Sequence, residues 1–267
     1  MTDPALRDRL AQTSWYHSIE LAPGLVTPGW FDTRAVPERI GFPASLAGKR
    51  CLDVGTFDGF WAFEMERRGA AEVVAVDVLD PRRWDWPRNS PPEAVETISA
   101  RKRDNRGFQI AKEALGSRVR LVDETVYALE AGELGEFDFV FCGSLLLHLR
   151  DPVAAIERLR GLCRGELMVT DAIDPFLSRL AGRRAIAELD GRGRPWWFHQ
   201  TTGSLEALVE RGGFRVVEGP RRYRIPPGPA QQRPPLRPRT LLDRHGRALL
   251  RDALRGSPHA VVRAVPA

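Results

Sequence analysis

The sequence predicts an α/β fold with a mostly parallel β-sheet and helices on both of its faces, and three observations carry this prediction. Four short apolar runs bounded by Gly or charged residues are typical of buried strands; they cover residues 50–54, 72–77, 137–142 and 166–171. Helix-like stretches separate these runs, as crossover helices separate parallel strands. The 267 residues are 43% hydrophobic and 28% charged, which provides enough apolar material for one large core.

Two helix starts are marked by capping residues. Residues 90–93, Ser-Pro-Pro-Glu, place a candidate N-cap serine before proline, with a glutamate three residues on, which is a capping-box arrangement. Asp151, followed directly by a proline, begins a second helix that we expect to end near Gly165.

The other end of the sheet is predicted from residues beyond 200. A helix over residues 204–211 ends at a Gly-Gly pair and leads into a strand at residues 214–217. A last strand, residues 259–265, returns antiparallel to it. Between the two strands lies a Pro-rich segment, residues 225–239, which excludes helix or central strand and predicts an extended surface loop.

The positive charge of the chain is concentrated in one segment. The net charge is +5, yet the residues from 218 onwards carry eleven Arg against three acidic side chains, a balance of +8. The body before residue 218 therefore has a net charge of −3. A basic segment of this kind is compatible with nucleic acid, with an acidic substrate, or with no charged partner.

Cysteine usage and hydropathy indicate a cytoplasmic protein. The three cysteines are an odd number and show neither a disulfide framework nor the spacing of a zinc site, so we expect no metal. The N-terminal residues lack the apolar core of a signal peptide, and no apolar run reaches the ~20 residues of a membrane span. We therefore expect no membrane association.

The strongest chemical signal is a glycine-containing loop directly after the first predicted strand. Gly55 and Gly59 stand where the strand leads into a helix, a place where backbone N–H groups can approach a ligand. Asp77 ends the next strand, 22 residues after Gly55, close to the ~20-residue spacing at which an acid accepts hydrogen bonds from ribose hydroxyls. Together they predict an adenosine-containing cofactor.

The composition of the loop narrows the class of cofactor that it can bind. A dinucleotide fingerprint needs glycine at three positions, and Phe57 occupies the middle one here. Asp53, at the end of the strand, would repel a pyrophosphate but attract an ammonium group. We therefore expect a cofactor with an amino-acid tail.

With these motifs, residues 46–217 resemble the class I S-adenosylmethionine-dependent methyltransferases. The loop from Asp53 to Gly59 is similar to the first motif of that family, Asp77 to its ribose-binding acid, and residues 137–148 to its fourth-strand motif. The resemblance implies a Rossmann-like sheet whose last strand is antiparallel, with S-adenosylmethionine as cofactor. It further implies a set of cofactor-binding residues: Asp53, Gly55, Thr56, Phe57 and Gly59 in the loop, Asp77 and Val78 at the ribose, Glu124, Thr125 and Val126 at the adenine, and Cys142 and Gly143 beneath the sulfonium.

A narrower resemblance concerns residues 15–30 and 148–152. They are similar to the subfamily that includes the tRNA wobble-uridine carboxymethyl-transferring enzymes. That subfamily has an aromatic hydroxyl before the motif histidine, where this chain has Leu147, and this chain is also shorter at its N-terminus. The difference favours plain methyl transfer over use of a carboxylated cofactor.

The same patterns divide the chain into three parts. We expect a helical and aromatic cover in residues 1–45, the cofactor-binding Rossmann-like domain in residues 46–224, and a Pro- and Arg-rich insertion, helix and final strand of the same domain in residues 225–267.

Three histidines are the candidates for a general base, since imidazole titrates near neutral pH. His148 follows the fourth strand, where strand ends form the ligand crevice of an open α/β sheet, and its alternative role is to order that loop. His17 and His199 lie in two aromatic segments that we expect to cover the site. We expect no functional role for His245 or His259.

The covering segments also predict the acceptor pocket. Asp171 ends the fifth strand near the same crevice, where capping or loop-ordering is an equal alternative, whereas residues 84–86 are expected only to pack. The candidate pocket residues are Trp15, Tyr16, Trp30, Arg34, Asp171, Trp196 and Trp197.

Methyl transfer to an oxygen or nitrogen of a small molecule, of the kind made in natural product biosynthesis, is the leading hypothesis. Modification of a tRNA wobble uridine is the alternative, supported by the basic C-terminal segment; the basic run at residues 101–106 is expected to lie on a solvated helix face. A non-catalytic cofactor-binding partner protein is the second alternative, and a nicotinamide oxidoreductase the last. The acceptor and the oligomeric state stay open.

Overall fold

A seven-stranded sheet forms the centre of the fold in a computed structural model that describes residues 4–102, 105–190, 196–231 and 244–267. The strands are β1 (Trp15–His17), β2 (Glu20–Ala22), β3 (Leu25–Val26), β4 (Gly29–Phe31), β5 (Arg50–Val54), β6 (Glu72–Asp77), β7 (Arg120–Asp123), β8 (Phe137–Gly143), β9 (Cys163–Ala172), β10 (Ala187–Leu189), β11 (Phe198–Gln200), β12 (Phe214–Ile225) and β13 (Ser257–Pro266). The helices are α1 (Pro4–Ala11), α2 (Val36–Arg39), α3 (Phe60–Arg67), α4 (Pro92–Lys102), α5 (Arg106–Leu115), α6 (Ala131–Leu134), α7 (Pro152–Leu162), α8 (Pro175–Ala181), α9 (Thr202–Arg211) and α10 (Arg244–Arg255). Short 3₁₀ turns lie at Pro81–Arg83, Val126–Ala128 and Leu146–His148.

The order of strands in the large sheet is β12-β13-β9-β8-β5-β6-β7. Its pairings are parallel except for those of β13, which is antiparallel to both β9 and β12. The predicted α/β fold, with a mostly parallel sheet and an antiparallel last strand, is therefore confirmed.

Alternating side chains of the sheet enter two apolar clusters, one on each face. Along β8, Phe139 and Phe141 belong to one cluster and Val140 and Cys142 to the other, because successive residues of a strand point to opposite sides. Helices α3 and α5 close the first cluster, and α7 and α9 close the second. A sheet buried on both faces can offer polar groups to a ligand only at the ends of its strands.

Helix capping agrees with the sequence in one place and differs in another. Asp151 caps α7, since its Oδ1 accepts the Ala154 N–H at 3.0 Å, but the helix ends at Leu162 because β9 begins at the next residue. Ser90 is not the N-cap of α4. That helix begins at Pro92, and the Ser90 hydroxyl has no hydrogen-bond partner within the described part of the chain.

The strand expected at residues 214–217 is much longer, because β12 pairs with β13 as far as Ile225. The Pro-rich segment after it is not simply a surface loop in its described part. Gly228 N donates to Trp30 O at 2.7 Å, and Ala230 N donates to Gly29 O at 3.0 Å. Residues 226–231 therefore join the N-terminal strands, whereas the rest of the predicted loop lies outside the described residues.

We expect Leu52→Ala to lower the free energy of unfolding by about 2–5 kcal/mol, because Leu52 is fully buried in the central strand β5 and truncation leaves a cavity there. Leu180→Ala is the matched control, since Leu180 is 70% exposed on α8 and its loss should change stability by about 0.5 kcal/mol or less. Urea denaturation of both variants measures the difference. Equal effects would contradict the core assignment.

Candidate functional site

The loop after β5 is shaped by residues with positive φ. Gly55 (φ +80°) and Gly59 (φ +92°) adopt the left-handed region, and Gly59 caps α3. A Cβ atom at Gly59 would lie 2.4 Å from the Phe63 ring, so the close packing of loop and helix requires glycine there. Phe57, where a dinucleotide site would have glycine, is also left-handed (φ +52°). Its backbone N–H donates to Oδ2 of Asp77 at 2.6 Å and ties the loop to the end of β6.

Asp53 is buried beneath this loop, with a relative exposure of 1%. Its Oδ2 has no hydrogen-bond partner among the residues that the structure describes. Burial raises the pKa of Asp53 from 3.8 to about 7, because a carboxylate is poorly solvated in the interior. An unpaired buried carboxyl oxygen beside a glycine loop fits a ligand that carries an ammonium group.

Asp77 has a partner that the sequence analysis did not anticipate. Lys102 Nζ lies 2.5 Å from Asp77 Oδ1, and its side chain is 1% exposed. The rings of Phe57 and Trp84 lie 5.0 and 5.2 Å from the ammonium group. The expectation that residues 101–106 lie on a solvated face is therefore wrong for Lys102, which is the one buried residue in the described helix α4. Arg101 is likewise not simply solvated, because it lies over the Trp30 ring at 4.6 Å.

A cavity of about 860 Å³ opens at the carboxyl edge of the sheet. Its size falls within the ~300–1,000 Å³ typical of small-molecule sites. Aromatic rings supply much of its wall. Of the residues predicted from sequence, it brings together Tyr16, His17, Trp30, Gly55, Phe57, Asp77, Val78, Glu124, Thr125, Val126, Gly143, His148 and Trp196.

The other predicted site residues lie outside the cavity wall. Asp53, Thr56 and Cys142 are buried beneath it, and Gly59 packs on Phe63. Arg34 pairs with Asp32 at 2.7 Å, Trp15 donates its indole N–H to Leu10 O at 3.1 Å, and Trp197 donates to Asp85 O at 2.5 Å. The remaining two are Asp171 and His199, described below.

Asp171 orders the loop after β8. Its carboxylate accepts the N–H groups of Leu147 (3.1 Å) and Ala172 (2.6 Å), and the side chain is fully buried. Burial raises its pKa from 3.8 to about 7. Of the two roles open from sequence, these contacts correspond to loop-ordering.

The three candidate histidines have different surroundings. His17 is buried in the cavity wall, and its Nδ1 pairs with Oδ1 of Asp58, whose Oδ2 accepts the N–H groups of Tyr16 and His17, both at 2.8 Å. His148 lies in the wall with its ring 6.4 Å from that of Trp84. His199 lies outside the wall, where its Nε2 is 2.6 Å from Asp190 Oδ1.

Trp84 and Trp86, expected only to pack, also line the cavity, with near-parallel rings 6.1 Å apart. His259, for which we expected no role, is 3% exposed and lines the cavity too. The antiparallel direction of β13 explains this position, because its first residues lie at the carboxyl edge of the parallel strands. That direction was predicted from sequence and was the signal that could have found His259. The side chain of His245 lies outside what the structure describes.

A family model described as a methyltransferase domain matches residues 33–219. The chain belongs to this methyltransferase family. The match spans the cavity-lining loops from Thr33 to Thr170 and agrees with the resemblance stated from the motifs.

The relatives of this methyltransferase differ in their named substrates. It is 28% identical over 190 residues to a tRNA U34 carboxymethyltransferase of Methylococcus capsulatus, covering 66% of this chain and 47% of the relative. It is 31% identical over 126 residues to a ubiquinone biosynthesis O-methyltransferase of Neisseria meningitidis, covering 47% of this chain and 44% of the relative. The chain thus spans about half the length of the curated relatives it matches.

The fold is shared with a solved structure. The N-terminal domain of EvdMO1 with SAH bound is similar over 100% of this chain and 98% of that one, with a TM-score of 0.58 and 16% identity. The predicted fold class is thereby confirmed, and the family model confirms the predicted relation to methyltransferases.

Within residues 4–102, 105–190, 196–231 and 244–267, no helix combines the length and apolarity that crossing a membrane requires. The same ranges contain no cluster of three His, Cys, Asp or Glu side chains suited to a metal ion.

We expect Asp53→Asn to stabilise the cofactor-free protein more at pH 8 than at pH 5. Because burial raises the folded-state pKa of Asp53 from 3.8 to about 7, the wild type is most stable below pH 3.8. It loses free energy of unfolding as the pH rises from 3.8 through 7, by at most about 4 kcal/mol, and the asparagine variant avoids this loss. Thermal unfolding of both proteins at the two pH values measures this.

Asp138→Asn is the control with the opposite sign. The guanidinium of Arg164 holds the pKa of Asp138 below its ordinary value, so this variant should lose stability at both pH values. A melting difference for Asp53→Asn that does not change with pH would contradict the raised pKa of Asp53.

We expect Lys102→Met to lower the free energy of unfolding by about 3–5 kcal/mol, because it leaves the Asp77 carboxylate buried without its cation. Adding Asp77→Asn should restore part of that loss. Lys49→Met, at an exposed position, should have little effect. Chemical denaturation of the wild type, the two single variants Lys102→Met and Asp77→Asn and the double variant gives the coupling energy, and additive effects would refute the ion pair.

Proposed function

We propose that this chain is an S-adenosylmethionine-dependent methyltransferase that acts on an oxygen or nitrogen of a small molecule. One observation carries the proposal: the predicted cofactor loop, the acid at the end of β6 and a set of aromatic side chains all line the same cavity. Membership in the methyltransferase family supports the reaction class.

The residues fit the cofactor. The unpaired Oδ2 of Asp53 and the glycine loop suit an amino-acid tail, and the Asp77 carboxylate suits ribose hydroxyls because it can accept more hydrogen bonds than its two present contacts supply. Glu124, Thr125 and Val126 lie in the wall where an adenine would bind, and Gly143 offers backbone without a side chain. When bound, S-adenosylmethionine supplies a methyl group on a sulfonium.

The protein contributes alignment and exclusion of water to such a transfer. Tyr16 and Trp30 form part of one side of the cavity, and their rings lie 5.8 Å apart in an edge-to-face arrangement. Trp84 and Trp196 add further aromatic surface. An aromatic enclosure binds a small planar acceptor and removes the water that would mask its nucleophilic atom.

The alternative is modification of a tRNA wobble uridine, favoured by the relative from Methylococcus capsulatus and by Arg221 and Arg222 on the edge strand β12. Part of the basic charge has an acidic partner within the chain: Arg263 pairs with Glu166 at 2.7 Å and with Glu218 at 2.8 Å, and Arg224 lies 4.0 Å from Asp252. These contacts reduce the charge that is available for phosphates.

We expect Asp77→Ala to weaken binding of S-adenosylhomocysteine at least tenfold in calorimetric titration, because ribose hydroxyls lose their acceptor. Asp80→Ala, at an exposed carboxylate near the same edge, should bind normally. Wild-type protein that binds NADH in place of S-adenosylhomocysteine would refute the proposed cofactor.

The salt dependence of tRNA binding by the wild-type protein distinguishes the two acceptor classes. Binding of unfractionated tRNA that weakens steeply between 50 and 200 mM salt would favour the tRNA alternative, since phosphate contacts release counterions. Binding of cofactor without tRNA binding at low salt supports the small-molecule reaction.

A further inference from the structure

His259 and Ser144 form a polar pair on the side of the cavity away from Asp77, and Ser144 directly follows Gly143, which we expect beneath the sulfonium. In the sheet, β13 lies four strand positions from β6, which at ~4.8 Å per strand separates His259 from Asp77 by roughly 19 Å. Both residues of the pair line the cavity, as do Thr170 and Ser257 beside them. The pair therefore lies in the part of the cavity left for an acceptor.

The hydrogen bonds of His259 define its tautomer. Its Nδ1 lies 3.2 Å from the carbonyl oxygen of Ser257, which can only accept, so Nδ1 carries the proton. Its Nε2, 3.0 Å from Ser144 Oγ, is then the unprotonated nitrogen and accepts from the hydroxyl. Burial lowers the pKa of His259 from 6.5 to about 4, so the ring is neutral near pH 7. The pair thus presents the oxygen of a hydroxyl whose own proton is held by Nε2.

Ser144 is held in an unusual backbone conformation at this point. Its φ of +51° lies in the left-handed region, which non-glycine residues rarely adopt. Its N–H donates to Thr170 O at 2.8 Å and fixes the turn directly after β8. Such strained residues cluster at ligand sites, where the surrounding structure maintains them. Here the conformation brings Oγ to the imidazole.

We propose that Ser144 and His259 bind the hydroxyl group of an aromatic acceptor and take up its proton during methyl transfer. This inference rests on the proposed function and deepens it by naming the acceptor class and the proton acceptor. The aromatic class follows from the rings of Tyr16, Trp30 and Trp196 in the same wall. A phenolic hydroxyl donates where a lone pair is offered, and Ser144 Oγ offers one because its own proton points to Nε2.

Methyl transfer forms one bond to carbon and breaks another. A lone pair of the acceptor oxygen forms the new bond to the methyl carbon, while the carbon–sulfur bond of the donor breaks and its electron pair stays on sulfur. The acceptor proton passes to Ser144 Oγ as the Ser144 proton passes to Nε2, which leaves His259 as imidazolium. That proton is later released to water. A weak base suffices, because the acceptor O–H becomes strongly acidic as the oxygen gains its methyl group.

The test compares 2-naphthol with 2-methoxynaphthalene, which has the same ring system and no hydroxyl proton. Fluorescence titrations use protein saturated with S-adenosylhomocysteine. We expect the wild type to bind the naphthol more tightly by about 3- to 10-fold, the effect of one hydrogen bond. Ser144→Gly, which keeps the positive φ and removes the hydroxyl, and His259→Phe, which keeps a ring beside Tyr223, should lose this preference.

Ser257→Ala is the matched serine control, because it keeps the backbone carbonyl that accepts from His259 Nδ1. It should retain the preference, and all variants should bind S-adenosylhomocysteine as the wild type does. The proposal is overturned if wild type shows no preference, if it binds neither naphthalene, or if Ser144→Gly keeps the preference. Ser144→Gly decides the matter even if His259→Phe does not fold. If the wild type does not bind S-adenosylhomocysteine, the proposed function itself is refuted.

Discussion

Burial of the central sheet on both faces is the constraint on which the rest of the structure depends. Strands β5, β8 and β9 have apolar neighbours above and below, so a polar side chain there is costly unless it is paired or lies at a strand end. Asp53 and Asp171 are such exceptions, and burial raises the pKa of both to about 7. Chemistry is thereby confined to one edge, where the cavity opens.

The sequence predicted the fold well because the fold depends on local patterns, and the residues that we expect to bind the cofactor were chosen from the same patterns. Apolar runs gave the bounds of β5 and β6 to the residue, and the 22-residue spacing from Gly55 to Asp77 follows from one strand–helix–strand unit. Strand β7 was missed because it is an edge strand of four residues without a buried side chain. The wall near β13 was harder to predict, because Ser144 and His259 come from distant parts of the chain and meet only through the strand order.

Two basic residues show that local sequence patterns do not reveal which acidic side chain a charge will pair with. Lys102 belongs to a basic run, and only the packing of α4 reveals that it is buried against Asp77. Arg263 belongs to the basic C-terminal segment, yet it joins β13 to carboxylates on β9 and β12. In both cases the sequence showed the charge but not its partner, because the partner belongs to a different element of the fold. The net charge of +8 therefore overstates what the segment can offer to a ligand.

The position of β13 also orders the events of folding during synthesis. It lies between β9 and β12 although it follows both in the chain, and Val262 pairs with Val169, which was made much earlier. Until residues 257–266 leave the ribosome, β9 has an open edge with unpaired backbone groups, the kind of edge at which chains aggregate. The strand that brings His259 to the cavity is thus also the one that removes this hazard, and translational pausing before it would lengthen the exposure.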